Sequence, residues 1–296
     1  MRISRIASYF AISLGLGVPG LANANTIVDG WTLDLDAAGL VGFGSISDIT
    51  QVNLTGLFNA VASGDPTTIG TPGSTSGLLS ATAFTGSSGL IPVTDTGKVL
   101  NYHFEVTFTY QLDSIVTGFD GGDITSTDHT GGTVSVYVDD FSSGVKSNPN
   151  FTGTGGAGFD DGILIATFNY VDMPGNGAIF STASLNGSDD GSFALVHAIE
   201  GVLTDSQGAS LVNGDSLLGI SDTNFDADPD SNGLVDTMVA NTIFGENQCS
   251  SVGNFCGTQD GSFILAYAPN PIPVPAAAWL MGSGLLGLIG AARRRA

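Results

Sequence analysis

One run of strict alternation constrains this chain more than any other feature. Leu100, Tyr102, Phe104, Val106, Phe108, Tyr110 and Leu112 alternate with Asn101, His103, Glu105, Thr107, Thr109 and Gln111. A β-strand sends successive side chains to opposite faces, so this spacing puts every large apolar group on one side. On a helix the same residues would be scattered around the axis. The run is therefore read as a long, half-buried antiparallel strand.

Shorter segments repeat the message. Thr133–Val138 places Val134, Val136 and Val138 on one face. Ile163–Val171 is nearly continuous and β-branched, as a central strand would be. Phe193–Ile199 and Phe263–Ala268 are similar. The stretch Ser63–Gly89 is rich in Ser, Thr and Gly and poor in large apolar groups, so a long surface excursion is expected there. Asp190-Gly191-Ser192-Phe193 recurs as Asp260-Gly261-Ser262-Phe263, with a fainter copy at Asp161-Gly162. Asp-Gly closes tight turns, so each copy is read as a turn that launches a strand. No segment keeps a helical period. The expected fold is all-β: an antiparallel β-sandwich, jelly-roll-like, over residues 25–270. A β-helix is the alternative, without a short regular repeat to support it.

The two ends read as addresses. Arg2 and Arg5 precede an apolar run from Ile6 to Val18, and Ala22-Asn23-Ala24 follows. Charge, short apolar stretch and small residues in that order make a secretory signal over residues 1–24, with cleavage after Ala24. At the other end Pro271, Pro273 and Pro275 form a stiff spacer. Ala276–Ala292 is then free of charge, and one C-terminal transmembrane helix is expected over 275–292. Arg293-Arg294-Arg295 would remain cytoplasmic by the positive-inside rule.

The tail carries a family resemblance in Val274-Pro275-Ala276-Ala277-Ala278-Trp279-Leu280, in the Gly-rich apolar run after it, and in Arg293, Arg294 and Arg295. It resembles a PEP-CTERM sorting signal in residues 271–296. The usual Glu between two prolines is replaced here by Ala276 after Pro275. The resemblance implies export by signal peptidase, a stage held at the inner membrane of a Gram-negative bacterium, processing by an exosortase, and release to the cell surface or exopolysaccharide matrix. A plain membrane anchor is the alternative reading of the tail.

Charge then separates by region. The chain holds 28 acids and 7 bases. Five of the bases are the terminal arginines, leaving Lys98 and Lys146 against all the acids. A region with 28 acids, two lysines and no arginine has little with which to neutralise phosphates, which argues against nucleic acid as a partner. It also lacks the usual clamp for phosphate or carboxylate substrates.

Few residues suggest chemistry. Cys249 and Cys256 would form a disulfide in an oxidising compartment. Asp228, Asp230, Asn232, Leu234 and Asp236 match the first nine positions of a calcium loop, with Gly233 at its turn. Position 12 is Val239 rather than a bidentate acid, so a weak calcium site and a solvated acidic loop both fit. Asp120 with Asp123, Asp139-Asp140, Asp160-Asp161 and Asp189-Asp190 lie near strand ends or glycines and read as solubilising pairs, with shared calcium binding as the alternative. His103, His129 and His197 neighbour no nucleophile signature, and there is no G-x-S-x-G, H-E-x-x-H or Walker loop. The expected function is non-enzymatic: a surface or matrix structural protein that supports biofilm or floc formation. The tail family's flocculation-associated members resemble the chain at Val136-Tyr137-Val138-Asp139 and Phe159-Asp160-Asp161-Gly162. A calcium-dependent glycan-binding module is the alternative, with Tyr137, Phe141 and Phe151 as its candidate aromatic contacts.

Overall fold

Alternation does build the molecule, but into a different shape from the one expected. The computed structural model describes residues 26–65, 68–91, 104–120, 123–140, 159–173, 176–180, 186–213, 217–226 and 254–267. They belong to the compact unit Asn25–Ala268. The strands are β1 (Thr26–Ile27), β2 (Trp31–Asp34), β3 (Ser45–Ala62), β4 (Pro72–Gly86), β5 (Gly89–Leu90), β6 (Glu105–Asp120), β7 (Asp123–Asp139), β8 (Ile163–Tyr170), β9 (Gly177–Phe180), β10 (Asn186–Ala198), β11 (Leu203–Thr204), β12 (Leu217–Asp226) and β13 (Asn254–Tyr267). Among the described residues the one helical turn is the 3-10 segment Leu211–Asn213.

Eight strands follow one another as neighbours in the order β3, β4, β6, β7, β8, β10, β12, β13. Every pairing is antiparallel, and β13 returns to pair with β3 from Asn254↔Val61 to Phe263↔Val52. The sheet is a closed up-and-down barrel, not the jelly-roll-like β-sandwich that the strand pattern suggested. A sandwich needs crossings between two sheets. Here successive strands simply pair with the next, and the strands are long enough to coil. Bulges at Asn53/Leu54, Asp113/Ser114, Val136/Tyr137 and Leu195/His197 sharpen the twist. Period two has the same appearance in both folds, because each has one buried face. The second part of the expectation, a C-terminal transmembrane helix, is not found either: among the described residues no helix is long and apolar enough to cross a membrane. Residues 275–292 lie outside the described residues.

Three glycines let the wall curve around large rings. A Cβ on Gly77 would collide with the Tyr110 ring, one on Gly219 with Phe263, and one on Gly191 with Phe193. Ring packed over glycine is a device by which coiled sheets fill their concave face. This explains β4, which lies in the stretch expected to be a surface excursion. Its Gly77, Leu79, Ala81 and Phe84 are buried, while Ser76, Ser80 and Thr82 face outward. The recurrent Asp-Gly-Ser-Phe segments are also not turns. Both lie mid-strand, in β10 and β13, with the Phe turned into the core.

The interior is filled. Phe108, Phe168 and Phe263 meet at its centre, with Phe263 centroids 5.3 Å from Phe108 and 5.4 Å from Phe168. At the end where β3 begins, Trp31 and Leu33 of β2, the turn residues Leu35, Ala38 and Leu40, and Val202, Leu203 and Leu211 join the core as a plug. This is called the lower end below. At the opposite, upper end β3, β6, β9 and β12 finish and β4, β7, β10 and β13 begin.

Candidate functional site

The upper interior holds the buried polar groups. Tyr110 on β6, Asp189 on β10, Thr223 on β12 and Gln259 on β13 all occupy inward positions in their strands. The Tyr110 hydroxyl donates to Gln259 Oε1 at 2.5 Å. Gln259 Nε2 donates to Thr223 Oγ1 at 2.7 Å, and Thr223 Oγ1 donates to the Asp189 carbonyl at 3.0 Å. The chain of bonds thus joins four strands across the lumen. Burial pushes the Tyr110 hydroxyl well above its ordinary range, with the Asp189 charge adding to the effect and the Gln259 bond opposing it. Tyr110 is therefore a neutral donor at any ordinary pH.

His129 stands beside this chain. A bulge between Asp113 and Ser114 opposite β7 shifts the register there, so His129 turns inward although Val134 and Val136 further along do so too. It is 4% exposed. His129 Nε2 and Asp189 Oδ1 lie 2.6 Å apart. Among the described residues Nδ1 has no partner. Burial opposes charge on the ring most strongly, but the bond and charge of Asp189 and the charge of Asp128 outweigh it, and the proton is held more tightly than usual.

The room left is small. A cavity of about 30 Å³ touches Tyr110, Asp189, Ser221, Thr223 and Gln259 amid apolar walls, and a second of about 20 Å³ lies beside Trp31. Either suits about one water molecule, not a substrate or a lipid. Many outward positions carry short polar side chains: Asn53 and Thr55 on β3, Ser76 and Ser80 on β4, Thr109 and Gln111 on β6, Thr133 and Ser135 on β7, Asn169 on β8, Asp222 and Asn224 on β12. A membrane-spanning barrel needs an apolar outer band. This wall is mixed: its polar side chains are interrupted by Leu57, Leu78, Leu218, Ile220 and Ile264.

The residues singled out by sequence fall in several places. Ala22, Ala24, Asp228, Asp230, Asn232, Leu234, Asp236, Cys249, Val274, Pro275, Ala276, Trp279, Arg293, Arg294 and Arg295 lie outside the described residues, as do His103, Phe141 and Phe151. Cys256 lies in β13 and is disulfide-bonded. His197 is exposed at the β10 bulge. Tyr137 is half-buried on the outer wall. The acid pairs do not behave alike. Asp160 and Asp161 are exposed before β8. Asp189 and Asp190 split, one inside with His129 and one outside opposite Asp222. Asp139 is buried opposite Glu105. Among the described residues no three His, Cys, Asp or Glu side chains are grouped to hold a metal ion.

Sequence reasoning missed Tyr110, Thr223 and Gln259 as a polar group. Tyr110 reads as one more apolar member of its strand, and nothing local in Thr223 or Gln259 marks them as inward. Asp189 carried a faint signal, an acid two residues before Gly191 and four before Phe193 on the same face. No family model, curated protein or solved structure matches this chain.

Proposed function

We propose that this chain is an exported structural protein of the cell surface or exopolysaccharide matrix. It is delivered by its N-terminal signal and sorted through residues 271–296, and the barrel acts through its outer surface. The observation that carries this reading is a barrel whose core is packed with side chains behind a mixed wall in which short polar groups outnumber apolar ones. Such a wall hydrates well, and the two cavities described in the interior are each about the size of one water molecule. The resemblance of the tail to a PEP-CTERM signal supplies the route. A role in biofilm or floc cohesion follows from that route, with exosortase and signal peptidase as transient partners.

The test is made in the native host. A chain ending at residue 270 and the full chain are compared in surface, matrix and membrane fractions. The proposal expects the full chain in the matrix fraction and loss of the truncated chain from it. Equal amounts of both chains in the matrix would overturn it.

A further inference from the structure

The barrel wall has one weakly held piece. The fifth strand position is split: β8 leaves the wall at Tyr170, opposite Phe193, and β9 re-enters at Gly177, opposite Asp190. Only Gly191 and Ser192 of β10 lie between those pairings, and the Val171 N–H still donates to the Ser192 carbonyl at 2.8 Å. Gly177 has no side chain, Ala178 is buried, and Ile179 is 66% exposed. Its pairing with β7 is limited to Ser126↔Ile179 and Thr127↔Ala178. Elements held over few paired positions open before long ones.

The two strands that flank β9 are tied to one another on its inner side. Thr127 of β7 and Asp189 of β10 both pair with Ala178. His129, two residues beyond Thr127, reaches Asp189 across the small residues Gly177 and Ala178 at 2.6 Å. A pair of strands one position apart is thereby joined directly, in a place shielded from solvent. We propose that the His129–Asp189 pair is a latch, closed by a proton on His129, that holds β9 in the barrel wall.

The surroundings of the ring fit this role. Asp128 precedes it on β7, Asp189 faces it from β10, and the Tyr170 ring of β8 packs edge-on at a centroid distance of 6.0 Å. Asp172, just past β8, acts on the same Tyr170. β6 presents Ser114 opposite His129, with Asp113 beside it on the outer wall, and β9 presents Ala178. All the charges around His129 are therefore negative. Lys98 and Lys146 lie outside the described residues, so among those residues positive charge can come only from His129 and His197.

The sign follows from linkage. The folded ring binds its proton more tightly than the ordinary value of 6.5. Its contribution is complete below that value and is lost as pH rises through the folded value. β9 is held in mild acid and released toward alkaline pH. An opening that frees His129 becomes about tenfold more frequent for each unit by which the folded value exceeds the unfolded one.

Hydrogen exchange on the full chain at pH 6 and pH 9, corrected for intrinsic exchange rates, tests this. Protection of the Ala178 and Ile179 amides should be lower at pH 9 than at pH 6, while β3 and β4 amides keep theirs. His129→Gln, which retains a donor toward Asp189, should remove the pH dependence at β9. Unchanged β9 protection in the wild type would overturn the latch, and so would a pH-dependent loss that persists in His129→Gln. If that variant does not fold, the wild-type comparison and an NMR titration of the His129 ring decide. A ring that titrates at or below its ordinary value contradicts the proposal.

Discussion

The two halves of the barrel interior are built on different principles. The lower half is closed by an apolar plug, in which Trp31, Leu33, Leu203 and Leu211 pack against Phe84, Phe104 and Ile165. The upper half is joined by directed bonds among Tyr110, Gln259, Thr223, Asp189 and His129. Apolar packing is tolerant of shape but strong in sum. A buried polar chain is specific, and costly if one member is lost. The difference teaches where each half should fail. The plug gives bulk stability. The polar chain sets register and leaves the upper end sensitive to single atoms and, through His129, to protons.

The largest effect is expected where the halves meet. Phe263 lines both small cavities and touches Phe108 and Phe168. Phe263→Ala should cost about 3–5 kcal/mol in urea unfolding. It should loosen both ends together. If hydrogen exchange then rises at one end alone, the two halves are more independent than the shared ring implies.

A smaller and local loss is expected from the polar chain. Gln259→Leu leaves the Tyr110 hydroxyl buried without its acceptor, at about 1–3 kcal/mol. Adding Tyr110→Phe removes the orphan and should recover part of that loss. No recovery would show that the bond does not govern the upper half. Gly77→Ala strikes the same ring from behind, since the new methyl collides with Tyr110. It should cost about 1–3 kcal/mol by overpacking. The cost should shrink when Tyr110 is replaced by Leu, as a double-mutant cycle would reveal.

The smallest effect is on the outer wall. Asp190 faces Asp222 on the neighbouring strand. Burial, then Asp222, then Asp189 raise its carboxyl above the ordinary range. A raised acid is penalised once ionised, so Asp190→Asn should stabilise at neutral pH. Solvent screening limits the gain to about a few tenths of a kcal/mol. The gain should vanish as pH falls and the wild-type carboxyl takes up its proton. A loss of stability at pH 7 in thermal melts would show that Asp190 makes a favourable contact on the wall.

Much of the inner face was legible. Val106, Phe108, Tyr110, Leu112, Val134, Val136 and Val138 are buried as their alternation required. The closure was not, because period two reports which side is buried and not whether the sheet bends round to meet itself. β4 was missed because its inward residues are small where Tyr110 needs space, and a Gly opposite a ring resembles a loop in one dimension. The Asp-Gly segments misled for a related reason. Gly191 serves Phe193 in the core, not a turn. The polar site was least legible of all. Its members come from β6, β7, β10, β12 and β13, and only closure of the barrel brings them together.

The proposed function requires a barrel that is exported, trimmed at both ends and active through its outer surface. Native mass spectrometry of the protein released from the host's own matrix tests this most directly. The predicted mass is that of a chain beginning at Asn25 and lacking Arg293, Arg294 and Arg295, with no small molecule retained. An untrimmed Met1–Ala296 chain, or a stoichiometric small molecule held by the barrel, would contradict it.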